Sequence, residues 1–172
     1  FVLQLAFAAP TIAAEVIGGG MGMSMAMTSD PSGGGTTTAF GQYFIIVLTL
    51  IFLATGAHLH WIALVTESYR AFPPGQTWLG PDRFEAIAGF GAATFETALR
   101  IALPVTLILL LVQILTGILS RSAPSLNLFA LGLPAGVLAG IAALIISAPL
   151  IYDQFAELVE MALNQAESTV TP

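Results

Sequence analysis

Uncharged apolar runs alternate with short charged stretches along this chain, and the runs have the length of helices rather than strands. Residues 1–17 are apolar around Pro10 with a single charge, Glu15, and read as the end of a longer helix. Gly18, Gly19 and Gly20 follow and are expected to loosen the backbone, because each glycine costs roughly 1 kcal/mol inside a helix. Residues 29–38 read as a loop on every local signal. Residues 31–66 carry no charge, and 43–66 are long enough to cross a hydrocarbon core of ~30 Å at ~1.5 Å per residue. After the breaker Pro73-Pro74-Gly75, the residues Phe84, Ile87, Ala88, Phe90 or Gly91 and Phe95 recur at three- and four-residue spacing, which predicts a helix.

Residues 101–120 are a second uncharged span, with Pro104 near its expected start, where a missing N–H is tolerable. Residues 122–127 make a turn. The third span, 128–152, contains Gly132, Pro134, Gly136 and Gly140, and small residues let helices approach closely in lipid. Residues 153–165 are acidic and amphipathic: Phe155, Leu158, Val159 and Ala162 share a face, with Glu157 and Glu160 off it. Residues 168–172 look like a free end. The fold class expected is all-α, built from interrupted, tilted, membrane-type helices.

Composition narrows the class. Of 172 residues 56% are hydrophobic and 8% charged, with a mean hydropathy of +0.90. Soluble domains average about 25% charged residues, so this chain belongs in a membrane or inside a larger apolar assembly. Four arginines, no lysine and a net charge of −6 argue against nucleic acid, which needs clustered cations. The absence of cysteine excludes disulfides and thiolate metal sites. Phe1 opens the sequence and residues 1–17 have no basic n-region, so the segment does not read as a secretory signal and the chain is expected to be a fragment.

Candidate chemistry is sparse. Met21, Met23, Met25 and Met27 alternate with small residues. Thioethers suit Cu(I), so a copper-type small-ion transporter is the alternative reading. In a helix, however, Met21 and Met25 share one side while Met23 and Met27 take the other, and flexible thioethers also serve as conformable packing. His58 and His60 are spaced i, i+2, which points the rings roughly 200° apart on a helix; they read as an interfacial pair beside Trp61 in an aromatic belt. Glu96 and Arg100 are spaced for a helical ion pair. No nucleophile elbow, phosphate loop or paired carboxylates within an apolar span are found, so no enzyme activity, cofactor or metal site is expected.

The order of short motifs carries a resemblance. Arg121-x-Ala123-Pro124-x-x-Asn127-x-Phe129-x-x-Gly132-x-Pro134 resembles the signature of the FliR family of flagellar biosynthetic proteins and its counterparts in virulence-type type III secretion. Glu15-Val16-Ile17-Gly18 with Met21-Gly22 resembles the family's E-x-I-G-x-x-M-G segment, and Ser29-Asp30-Pro31 its D-P loop. Gly56-Ala57-His58-Leu59 is similar to N-G-H-L: the family often has Asn where Gly56 stands and Gly where Ala57 stands. The stretch from Tyr69-Arg70 to Pro73 and Gly75 and the run Arg100 to Pro104 continue the match, while Ala135 stands where the family often has a basic residue. The family is longer at its N-terminus, so this chain resembles its C-terminal two-thirds.

The resemblance implies a structural, pore-forming subunit of a type III export gate in the bacterial inner membrane, within the flagellar basal body or a virulence-type apparatus. It implies FliP-like, FliQ-like and FlhB-like partners and unfolded proteins as cargo, in contact with membrane lipid. Residues 1–94 would be a FliP-like part with a plug loop at about 25–38, and residues 95–172 a FliQ-like hairpin with an amphipathic tail. The plug and its seal would involve Met21, Met23, Met25, Met27, Asp30, Pro31, Ser32, Gly33, Gly34 and Gly35. The hairpin turn and assembly contacts would involve Arg121, Pro124, Asn127, Phe129, Gly132 and Pro134. Counting arginines puts residues 67–100 in the cytoplasm; the resemblance puts the Arg121 turn there, and that is the orientation expected.

Overall fold

The computed structural model describes residues 1–23, 39–71, 80–122 and 128–170, without the side chains of 120 and 128–131. The described residues form five α-helices and no strand: α1 (Val2–Gly20), α2 (Ala39–Ala54), α3 (Ala57–Ala71), α4 (Pro81–Ser122) and α5 (Leu128–Val170). By length and composition α1, Pro81–Leu119 of α4 and Gly132–Val170 of α5 could each cross a membrane. The pair α2 and α3 qualifies only as one span bent by 73°.

The span expected over 43–66 is present only as this bent pair, a break that the run of apolar residues did not locate. Its cause is Gly56, at φ +74 between the two helices. The left-handed region costs other L-residues about 1–2 kcal/mol and is visited routinely by glycine and at times by asparagine. Glycine at position 56 therefore meets the backbone demand of the bend. The chain stops hydrogen bonding as α2 and restarts as α3, with the Gly56 carbonyl accepting from the Leu59 N–H at 2.9 Å.

The last two helices are longer than expected. α4 has 42 residues and α5 has 43, so each runs roughly 60 Å at ~1.5 Å per residue, about twice a bilayer's hydrocarbon thickness. Pro104 is thus a mid-helix residue and not a helix opener. α4 starts at Pro81, where the fixed φ suits the first turn; Asp82 stands in that turn and Arg121 in the last, each complementing the helix dipole. The two helices pack antiparallel. Leu109 and Gly140 meet at one level, against Met21 and its preceding glycine, and Ile87 shares a groove with Ala166 far from the turn.

One core joins all five helices. α1 contributes Ala6, Ala9, Ala13, Ala14 and Ile17, and α2 contributes Phe44, Leu48 and Ile51, all at helical spacing. α5 contributes Phe155, Leu158, Val159 and Ala162, as the pattern over 153–165 predicted, together with Ala143 and Ile151. Phe44 and Phe155 meet edge to face with centroids 5.7 Å apart, and Phe7 meets Phe52 at 6.1 Å. On α4 the buried line is Phe90, Thr94, Thr97, Ala98, Ile101, Ala102, Val105 and Leu109. Phe84 and Phe95, expected on the inner face, are more than half exposed. Threonine can take the inner line because its hydroxyl bonds back along its own helix: Thr94 to the Phe90 carbonyl at 2.9 Å, Thr97 to the Ala93 carbonyl at 3.0 Å.

The core stops abruptly. No described side chain of α4 after Leu109 is buried, and none of α5 before Gly140. Leu110, Leu111, Ile114, Leu115, Ile118, Leu119, Leu133 and Leu138 all stand exposed on this end of the hairpin.

Candidate functional site: the grip on the end of the first helix

Where the core stops, α1 also stops, and its end is held on three sides. A helix leaves its last carbonyls without intrahelical donors. Here each of the final turn finds one. The Ile17 carbonyl accepts from the Met21 N–H, Gly18 from Met23 and Gly19 from Gly22, all at 3.0 Å. The Gly18 and Gly19 bonds form a Schellman closure, which requires a left-handed residue just past the cap; Gly22 supplies it at φ +80. Gly18, Gly19 and Gly20 stay helical, contrary to the loosening expected from their propensity, and close packing calls for a glycine only at Gly20. A β-carbon on Gly20 would stand 3.0 Å from Leu109 Cδ1 of α4.

The Gly20 carbonyl is taken by a partner distant in sequence. Gln113 of α4 donates its Nε2–H to that oxygen at 3.0 Å. Gln113 is the one carboxamide between Arg100 and Arg121. The nearby threonines bond back to their own helix: Thr106 to the Ala102 carbonyl at 3.0 Å and Thr116 to the Val112 carbonyl at 2.6 Å. Only Gln113 among these reaches across to another element.

On the third side Met21 is keyed into α5. It is 2% exposed. A β-carbon on Gly136 would lie 3.4 Å from the Met21 carbonyl oxygen. One on Gly140 would overlap the Met21 side chain, at 2.7 Å from Cγ and 2.9 Å from Sδ. The small residues of α5 thus receive a methionine and a helix end. A cavity of about 320 Å³ lies beside this junction, lined by Gly19, Gly22, Val112, Thr116, Gly132 and Leu133 among others.

The residues singled out in sequence fall as follows. Met21 is buried and Met23 half-buried against the core. Met25, Met27, Asp30, Pro31, Ser32, Gly33, Gly34 and Gly35 lie outside the described residues, as do Pro124 and Asn127. Arg121 is exposed in the last turn of α4, Phe129 lies in the first turn of α5, Gly132 is half-buried and Pro134 exposed. His58 and His60 do point apart: His58 stands beside Phe52, and His60 Nε2 lies 3.8 Å from a Glu167 oxygen across to α5. Arg100 Nη2 donates to Glu96 Oε1 at 2.7 Å on an exposed face, a pair worth only ~0.3–0.5 kcal/mol. Among the described residues no three His, Asp or Glu side chains converge as metal ligands. Sequence reading missed Gln113 as a bridge; its signal was a single long polar side chain in a 20-residue run without charge.

Comparison with known proteins adds the context. A family model described as "Bacterial export proteins, family 1" matches residues 1–162. Among curated relatives, the flagellar biosynthetic protein FliR of Pectobacterium carotovorum subsp. carotovorum is 36% identical over 155 residues, 90% of this chain and 59% of that protein. FliR of Escherichia coli (strain K12) is 33% identical over 151 residues, 88% of this chain and 58% of that one. FliR of Aquifex aeolicus (strain VF5) is 31% identical over 153 residues, again 58% of the relative. The chain therefore spans about three fifths of the length of these relatives.

Proposed function

The chain belongs to the bacterial export proteins, family 1, and from that premise we propose that it is a non-enzymatic, pore-forming subunit of a type III protein export gate. In this reading it stands in the bacterial inner membrane beside FliP-like, FliQ-like and FlhB-like subunits, and unfolded substrate proteins pass through the assembly. The observation that carries the reading is the family match over residues 1–162, with the relatives named as flagellar biosynthetic proteins. The geometry supports it. The apolar half of the hairpin exposes a broad face of leucine and isoleucine, as a helix does when lipid or another subunit completes its surroundings.

Residues 1–94 act as the FliP-like part and 95–172 as the FliQ-like hairpin. The boundary falls inside the unbroken α4, and one core spans both parts. Met21, Met23, Met25 and Met27 with residues 30–35 form the seal and plug; the fixed end of α1 gives that segment a firm base. The copper-type alternative loses one of its four thioethers to packing, since Met21 is closed in against Gly140.

Deletion of residues 30–35 tests the plug. With assembly confirmed by copurification of FliP- and FliQ-like subunits in mild detergent, small-ion leakage across the membrane should rise and growth under salt stress should fall. An assembled gate that stays tight removes the plug from this segment.

A further inference from the structure

We infer that Gln113 is a positioning residue: its carboxamide is a reversible latch that holds the end of α1 against the hairpin, while Met21 in the Gly136 and Gly140 notch is the fixed part of the same grip. As to why the latch matters to the gate, the inference rests on the pore-subunit reading above. The latch itself is argued from the junction alone.

The grip has two parts of different character. Met21 is held by shape, and its release requires the helices to separate. The Gly20 carbonyl is held by a single hydrogen bond at 3.0 Å from a flexible side chain. Gln113 is exposed in the isolated chain, at the level where the core stops, with Leu110, Leu111, Ile114 and Leu115 around it. In apolar surroundings neither the carboxamide nor the carbonyl finds water, so each needs the other, and breaking the bond strands both. A rotation of one side chain therefore frees the Gly20 carbonyl and loosens the hold of α4 on the end of α1 without disturbing the core below it. Volume alone does not require glutamine here, because the neighbours on α4 are leucine and isoleucine.

The test uses the full chain in its assembled complex, with Met23→Cys as the reporter; Met23 is half-buried just past the held carbonyl. The measurement is the rate of labelling by a small membrane-permeant maleimide. Gln113→Leu keeps the bulk and removes the donor, and should speed labelling about five- to tenfold, the factor that follows from losing one hydrogen bond. Gln113→Glu can donate only when its carboxyl is protonated, so it should label fast at high pH and slow towards the glutamine rate as pH falls through the titration of that carboxyl. Taken as a ratio to the glutamine chain at the same pH, which cancels the thiolate's own titration, a merely space-filling role has no such profile. Labelling of Gln113→Leu at the unsubstituted rate overturns the latch, as does a Gln113→Glu rate that matches Gln113→Leu at every pH. Ion leakage is recorded on chains that keep Met23, with and without Gln113→Leu. Faster labelling with no added leakage upholds the latch and counts against the pore reading, so the two stand or fall separately.

Discussion

The two halves of the α4–α5 hairpin differ in the opposite sense to a soluble protein. The half far from the turn carries Asp82, Arg83, Glu85, Glu96, Arg100, Asp153, Glu157, Glu160 and Glu167, and it contains the core. The half near the turn carries one charge, Arg121, at its tip, and none of its described side chains beyond Leu109 or before Gly140 is buried. Charge marks the half that can fold on its own contacts. There α4 turns its buried line toward α1 and α5, α5 turns its own toward α1, α2 and α3, and the charged side chains stand at the surface. The near half carries no charge short of Arg121, and apart from Gln113 and Thr116 beside α1 its described side chains on α4 between Leu109 and Arg121 are apolar, so it has little polar face to show to water. It is finished by whatever surrounds it.

Cross-linking breaks or sharpens this comparison with an all-or-none outcome. Cysteines placed near Arg100 and Asp153, where the two halves meet on facing helices, should join, and one near Arg121 should reach neither. Labelling of the first two positions from opposite ends would abolish the hairpin. Next in size is core truncation. Phe155→Ala in the charged half removes a fully buried ring packed on Phe44 and should cost about 3–5 kcal/mol, read as thermal unfolding in detergent. Leu111→Ala in the apolar half, 61% exposed in the single chain, should change the isolated chain by under ~0.5 kcal/mol. Equal losses would mean that both halves are self-packed. The smallest effect contrasts two glycines of α5. Gly140→Ala drives a β-carbon into Met21 and should cost about 1–3 kcal/mol. Gly132→Ala meets nothing within 4 Å and should gain up to about 1 kcal/mol from helix propensity.

Much of the architecture was legible along the chain. Long uncharged runs, the polar interruption after Arg121 and the small residues of α5 predicted an all-helical hairpin, and the Glu96–Arg100 pair and the inner face of 153–165 followed from spacing. The helix limits were less legible. Cutting spans at their charges put breaks at residues 100 and 152, yet the backbone runs straight through both, because intrahelical hydrogen bonds are indifferent to whether a side chain is charged. The inner line of α4 was misplaced for a related reason: hydrophobicity ranks Phe84 and Phe95 above Thr94 and Thr97, but a threonine that bonds its own backbone carries little polarity to the interface.

Sequence by itself determined the class of the protein and the hairpin; the turn at Gly56 came only with the structure. The tertiary structure also decided which residues pack together. Gln113 and Gly20 are 93 residues apart, and nothing local links a glutamine in an apolar run to the carbonyl of a distant glycine. Nor could the spacing of Gly136 and Gly140 show that a methionine side chain fills the notch in place of a crossing helix. Periodicity records which face a helix turns inward. The partner on that face is chosen by the three-dimensional path of the chain, where a donor must come within about 3 Å of an orphaned acceptor and a side chain must match a gap in shape.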